Sequence, residues 1–144
     1  MIARKSYIDR IKSYKDMQLI KVITGIRRCG KSTLLKLYKD ELIASGVDES
    51  QITVINLEEK ENEGLKQVDA LYDYLKGRLV AGKMNYIVID EVQECANFQI
   101  AGDSLLVKDN VDIYVTGSNA YMLSGELATL LYFGFFVKQK EYLI

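Results

Sequence analysis

One stretch near the N-terminus, Gly25-Ile-Arg-Arg-Cys-Gly30-Lys31-Ser32, restricts the fold of this chain more than any other feature. It completes the pattern G-x-x-x-x-G-K-[ST]. Its glycines permit a turn that brings backbone N–H groups together around one point. A helix opening at Ser32 adds the positive end of its dipole there. Such a cradle suits phosphate oxygens, with Lys31 reaching the β- and γ-phosphates of a nucleotide and the Ser32 hydroxyl serving as a Mg²⁺ ligand. Gly25, Ile26, Arg27, Arg28, Cys29, Gly30, Lys31, Ser32 and Thr33 are therefore the candidate binding residues. Arg27 and Arg28 suit either a solvated loop or a phosphate or interface contact. Cys29 reads as a small residue that fits the loop, or as a thiol made reactive by the helix N-terminus.

The pattern needs a strand before it and a helix after it. Residues 19–24 are an apolar run, a strand candidate. From Ser32 onward Leu34, Tyr38 and Leu42 recur at four-residue spacing with Leu35 beside them, and Gly46 stands where a helix C-cap glycine belongs. A charged amphipathic helix is expected over residues 2–15, with Ile8 and Ile11 on one side. Residues 52–57 form a β-branched strand, and 58–64 an acidic loop. Val68, Leu71, Tyr72, Leu75 and Leu79 mark a second amphipathic helix, ended by Gly82. Residues 86–90 and 111–116 read as strands, the first apolar without alternation, as in a parallel strand buried on both faces. Residues 121–131 look helical, and 133–137 form a weak last strand. Alternating strands and helices predict an α/β fold with a mainly parallel central sheet and helices on both faces. Ligands of such sheets sit at the C-terminal ends of the strands.

Two further polar signatures follow strands. Ile87-Val-Ile-Asp90-Glu91 is an apolar strand ending in an acidic pair. Asp90 is placed to hold Mg²⁺ through water opposite Ser32, and Glu91 to accept a proton from an attacking water. An acidic strand end has little meaning alone, but gains it downstream of a complete phosphate loop. Val115-Thr-Gly-Ser118-Asn119 ends the next strand, where Asn119, or failing it Ser118, would touch the γ-phosphate or orient the water. The catalytic candidates are thus Lys31, Glu91 and Asn119; the metal candidates are Ser32 and Asp90.

Composition removes competing chemistries. The 144 residues include no histidine and two cysteines, so a histidine triad is excluded and two thiols alone cannot complete a four-ligand zinc site. A net charge of −1 advertises neither nucleic acid nor membrane binding, although a local basic patch stays open. No run approaches the ~18 apolar residues of a membrane span, and the N-terminus lacks the apolar core of a signal peptide. A reduced, cytoplasmic setting is expected.

Together, Gly25 through Leu35, Ile89-Asp-Glu-Val-Gln-Glu94, Thr116-Gly-Ser-Asn and Leu123-Ser-Gly-Glu-Leu-Ala-Thr129 resemble the prokaryotic AAA-like ATPases, whose members usually carry a further C-terminal domain. The resemblance runs from about Arg4 to Leu131. It implies a P-loop NTPase three-layer sandwich of the additional-strand type, with the strand before Asn119 lying between the phosphate-loop strand and the Asp90 strand. It also implies ATP rather than GTP, with Mg²⁺. A single domain is expected over residues 1–144, with a nucleotide-binding core at about 16–131 and an atypical tail at 132–144. Where the family pattern places Leu-x-Gly-Arg, this chain reads Leu130-Leu-Tyr-Phe-Gly134, and no arginine follows Arg78. The chain therefore reads as a short member without the arginine or the C-terminal domain. The expected function is an ATPase coupled to a protein partner or a nucleic-acid transaction, as a monomer or an oligomer; the alternative is an ATP-binding module with little turnover. A small-molecule kinase is disfavoured, since only Lys108, Lys138 and Lys140 are basic after the acidic pair. A GTPase is disfavoured because Asp90-Glu-Val-Gln lacks the Asp-x-x-Gly form and no Asn-Lys-x-Asp base reader occurs.

Overall fold

Side chains along a strand alternate between its two faces, and this alternation divides the core of the protein in two. In the computed structural model, which describes residues 8–9, 11–17, 19–23, 30–117 and 135–139, five strands form one sheet. They are β1 (Leu19–Ile23), β2 (Ile52–Asn56), β3 (Asn85–Asp90), β4 (Val111–Thr116) and β5 (Phe135–Gln139), in the spatial order β2-β3-β4-β1-β5. β2, β3, β4 and β1 pair in parallel, while β5 runs antiparallel to β1. The strand of residues 111–116 lies between the phosphate-loop strand and the Asp90 strand, the arrangement implied by the resemblance. Every residue of β3 and β4 is buried, as befits central parallel strands covered on both faces.

On one face, Ile23, Tyr86, Val88 and Tyr114 pack against Leu34, Leu35, Tyr38 and Leu42 of α1 (Gly30–Ala44) and against Ile11 from the N-terminal segment. The apolar positions expected on this helix are all buried. Gly46 adopts φ 106°, the left-handed conformation that a glycine reaches without a Cβ penalty, and the helix stops there. On the other face, Ile20, Val22, Ile87, Ile89, Ile113 and Val115 meet Leu71 and Leu75 of α2 (Val68–Gly77) and Phe98, Leu105 and Leu106 of α3 (Phe98–Leu106). Sheet and flanking helices form the three layers expected.

Differences from the sequence reading are local. A loop is expected over residues 58–64, and Lys60–Lys66 forms 3-10 turns. α2 stops at Gly77, with Arg78 as its C-cap, rather than continuing to Gly82. α3 has no counterpart in the sequence reading. Its Gly102 lies so close to β1 that a Cβ there would stand 2.8 Å from the Ile20 Cδ1.

Lys21 is the one charged residue of β1, and it is fully buried on the α1 face. Its ammonium donates to the Asp112 carboxylate and, at 2.6 Å, to the Met17 carbonyl. Asp112 also accepts from the Asp16 amide at 2.8 Å and from the Tyr114 hydroxyl at 2.6 Å. The Tyr114 hydroxyl lies 2.8 Å from that of Tyr38, and Tyr86 donates to Asp16 at 2.7 Å. Burial holds Asp112 above the ordinary carboxylate range and Lys21 below the ordinary ammonium range, while their mutual attraction opposes both shifts. Removing one member of such a pair strands the other in the core, at a cost of about 3–5 kcal/mol. Asp112→Ala is expected to lower the unfolding free energy by about that amount, and adding Lys21→Met to recover part of it. Urea denaturation of the single and double variants measures this, and strictly additive losses would contradict the coupling.

Candidate functional site

The backbone of α1 begins at Gly30, with six residues between it and the end of β1 at Ile23. Gly30, Lys31, Ser32 and Thr33 therefore form the first turn of the helix, where N–H groups have no partner within the helix. Gly25, Ile26, Arg27, Arg28 and Cys29 lie outside the described residues, as do the side chains of Lys31, Ser32 and Thr33. The strand before the motif and the helix at its end are both present.

Asp90 ends β3 and is only 4% exposed. It pairs in register with Asn56, the last residue of β2. On its other side β3 neighbours β4, which ends at the fully buried Thr116. The Thr116 hydroxyl donates to Asp90 Oδ1 and accepts the Glu91 backbone N–H at 3.0 Å. Thr116 also pairs in register with Ile23, the last residue of β1. The carboxyl ends of β1, β4 and β3 are thus level, and the α1 N-terminus opens at the same end of the sheet. Sequence reasoning gave Thr116 no role. The available signal was a hydroxyl residue closing a buried strand that neighbours an acid-ended one.

Glu91 follows with φ 62° and ψ 53°. Two other non-glycine residues, Asp16 and Asn97, share this left-handed conformation among the described residues. Asp and Asn tolerate it because their short side chains bond locally, whereas Glu gains no such relief. The Glu91 side chain accepts a hydrogen bond from Gln93 Nε2 at 2.8 Å. The strained backbone therefore turns the chain sharply after Asp90 and leaves the Glu91 carboxylate directed by Gln93.

More carboxylates border this end of the sheet. Glu58, following β2, is held above the ordinary carboxylate range by partial desolvation and then by repulsion from Glu91, Glu94 and Asp90. Lys66 bridges Glu94 at 3.2 Å and Glu63 at 3.3 Å. Its hydrogen bonds to these partners raise its pKa. This rim by itself repels a polyphosphate, so an anionic ligand here needs cations.

Other candidates fall elsewhere. Ser118 and Asn119 lie outside the described residues, as does the helix expected over residues 121–131. Arg78 donates to Thr53 Oγ1 at 3.1 Å and stacks over Tyr74, 5.7 Å from the ring centroid. Thr53 stands three residues before Asn56 in the edge strand β2, about 10 Å back along the strand from the level of Asp90. Arg78 is therefore engaged away from the acidic pair. Cys95 is buried and reduced, and burial pushes its thiol pKa up. Among the described residues no helix is long and apolar enough to cross a membrane.

A family model described as AAA domain matches residues 17–132. A protein of Haemophilus influenzae described as uncharacterized is 39% identical over 132 residues, covering 91% of this chain and 33% of that relative. The chain thus spans about a third of the relative's length. No solved structure matches.

The backbone at Glu91 makes its own stability prediction. Glycine relieves left-handed strain but raises the entropy of the unfolded chain, which leaves a net gain of about 0.5–1 kcal/mol. Glu91→Gly is expected to raise the urea midpoint accordingly. A clearly lower midpoint would mean that the side-chain contact with Gln93 outweighs the strain.

Proposed function

This chain belongs to the AAA domain family, whose members carry a nucleotide-binding, ATPase-like domain, and on that premise we propose that it binds ATP with Mg²⁺ and hydrolyses it slowly by itself. The observation that carries this reading is the start of α1 at Gly30, inside a complete phosphate-loop motif that directly follows β1. Helix N–H groups, their dipole and the Lys31 ammonium then meet the triphosphate together.

The donor set suits an ion that arrives with its nucleotide. Among the described residues no group of three or more Asp, Glu or Cys side chains is arranged to hold a metal. Mg²⁺ commonly keeps several waters and takes one or two protein oxygens beside phosphate oxygens, which is what Ser32 and Asp90 would supply. The ion, when bound, neutralises charge on the β- and γ-phosphates and offsets the repulsion of the acidic rim. Lys31 binds the same phosphate oxygens. Glu91, turned outward by its left-handed backbone, takes the proton of the attacking water. Asn119 orients that water or touches the γ-phosphate.

The reading of slow turnover rests on the arginine that the family pattern places after the last helix, where this chain has Tyr132-Phe133-Gly134. Charge on the transferring phosphoryl group must be stabilised in the transition state, and an arginine finger supplies about 10³–10⁵ in rate. Arg78 is bonded to Thr53 and points its guanidinium elsewhere. Arg27 and Arg28 belong to the loop, where they assist binding. The accelerating cation is then contributed by a second copy, by a protein partner or by sequence beyond these 144 residues. This makes the domain a nucleotide-driven module whose output is coupled to that partner.

The test is a titration of ATP with and without Mg²⁺, followed by single-turnover hydrolysis at saturating nucleotide. Asp90→Asn is expected to weaken Mg²⁺-ATP binding more than metal-free ATP binding. Wild-type turnover is expected orders of magnitude below the ~1 s⁻¹ lower end of typical phosphoryl-transfer enzymes. Equal losses in both binding modes would make Asp90 structural, and a rate of about 1 s⁻¹ or more, lost in Glu91→Gln, would show that a cation of this chain completes the site.

A further inference from the structure

The position of Thr116 has a consequence for the same site. Its side chain is fully buried, and its single hydroxyl joins the two groups on which the hydrolytic reading rests. The hydroxyl proton goes to Asp90 Oδ1, and a lone pair takes the Glu91 N–H at 3.0 Å. We propose that Thr116 is a positioning residue, which fixes the carboxylate plane of Asp90 for the hydrated Mg²⁺ and holds the Glu91 backbone in the left-handed turn that directs its side chain toward the attacking water. The proposal rests on Asp90 and Glu91 having the metal-holding and proton-accepting roles given above.

Three features support a positioning role over simple space filling. A valine has the same shape as threonine, so packing alone does not require a hydroxyl at this strand end. The terminal torsion of an aspartate is broad and soft, and the bond from Thr116, a donor anchored in a strand, restrains it at Asp90. Thr116 also sits opposite Ile23 in the β1–β4 ladder, so one residue connects the acidic pair to the strand that leads into the phosphate loop. A shift of β4 against β3 is therefore felt at Asp90 and Glu91 together.

The bond has a sign. The Thr116 hydroxyl is the donor and Asp90 Oδ1 the acceptor. The Glu91 N–H follows a strand end and, without the Thr116 oxygen, loses its partner in a partly buried turn. Replacing the hydroxyl by a methyl group thus loosens both groups at once without changing the volume of the core.

The experiment compares wild type, Thr116→Val, Thr116→Ser and Asp90→Asn by calorimetric titration of ATP with and without Mg²⁺, together with single-turnover hydrolysis. Thr116→Val is expected to lose about tenfold or more of the Mg²⁺-dependent gain in affinity and of the turnover rate, with metal-free ATP affinity unchanged. Thr116→Ser, which keeps the hydroxyl, is expected to restore most of both. A valine variant that keeps the full Mg²⁺-dependent gain, while Asp90→Asn abolishes it, overturns the role of Thr116 and leaves the metal reading standing. If Asp90→Asn also keeps the gain, both fall. Amide hydrogen exchange on the wild-type protein gives a check that needs no variant to fold: the Glu91 amide is expected to exchange about a hundredfold more slowly than an unstructured amide, and exchange at the unprotected rate would overturn the proposal.

Discussion

The contact between Lys21 and Asp112 sets the frame on which the rest depends. A charge in the middle of β1 is tolerated only with its partner in place, because an unpaired buried ammonium is far costlier than an exposed one. Lys21 lies opposite Tyr114 in the ladder, and Asp112 lies on the same face two residues earlier. A one-residue slip between β1 and β4 would turn Lys21 away from Asp112 and drive the apolar set of β1 to the wrong face. The pair thus acts as a register lock. With that register fixed, Ile23 meets Thr116, and the chain leaves β1 level with the ends of β4 and β3.

The two ends of the sheet divide the work. Toward the amino ends of the strands, Lys21, Asp112, Tyr114, Tyr38, Asp16 and Tyr86 form a closed hydrogen-bonded set that holds the N-terminal segment, α1 and three strands together. Burial and the hydrogen bond to Asp16 push the Tyr86 hydroxyl up to about 12, so this set keeps its phenolic protons through neutral pH. Toward the carboxyl ends, carboxylates gather: Asp90, Glu91, Glu58 and Glu94 crowd one edge, with Lys66 bridging Glu94, and Glu91 holds a left-handed backbone at a cost of about 1–3 kcal/mol. Strain and like charge persist where the surrounding structure over-determines them, and here the buried end supplies that rigidity. The arrangement is consistent with the proposed binding of Mg²⁺ together with ATP.

Much of this was legible in the sequence because the relevant signals are periodic or local. The four-residue spacing of Leu34, Tyr38 and Leu42 defined α1, and the unbroken apolar run before Asp90 defined a strand covered on both sides. The order of strands came from the family resemblance rather than from any periodicity, and the sheet agrees with it. α3 was not legible: its Gly102 weakens helix propensity, its N-cap Asn97 makes no side-chain cap, and only its contact with Ile20 of β1 explains why a glycine stands there. The burial of Lys21 was hidden too, since a lysine inside an apolar run reads as a tolerated exception until its partner, 91 residues away, is seen. Thr116 escaped for the same reason. Its meaning lies in a neighbouring strand, 26 residues from Asp90 in sequence and a hydrogen bond away in space. The phosphate loop is legible in full as a motif, and its residues 25–29 lie outside the described residues.

The account's central claim is that the first turn of α1, with Lys31, receives the phosphates of ATP. The direct measurement is isothermal calorimetry of Mg²⁺-ATP binding to the wild-type chain and to Lys31→Ala, with unfolding curves recorded on both. Lys31 adds positive charge at a helix N-terminus, so the variant is predicted to fold and to lose measurable ATP binding. ATP binding of equal affinity in the two proteins would contradict the claim.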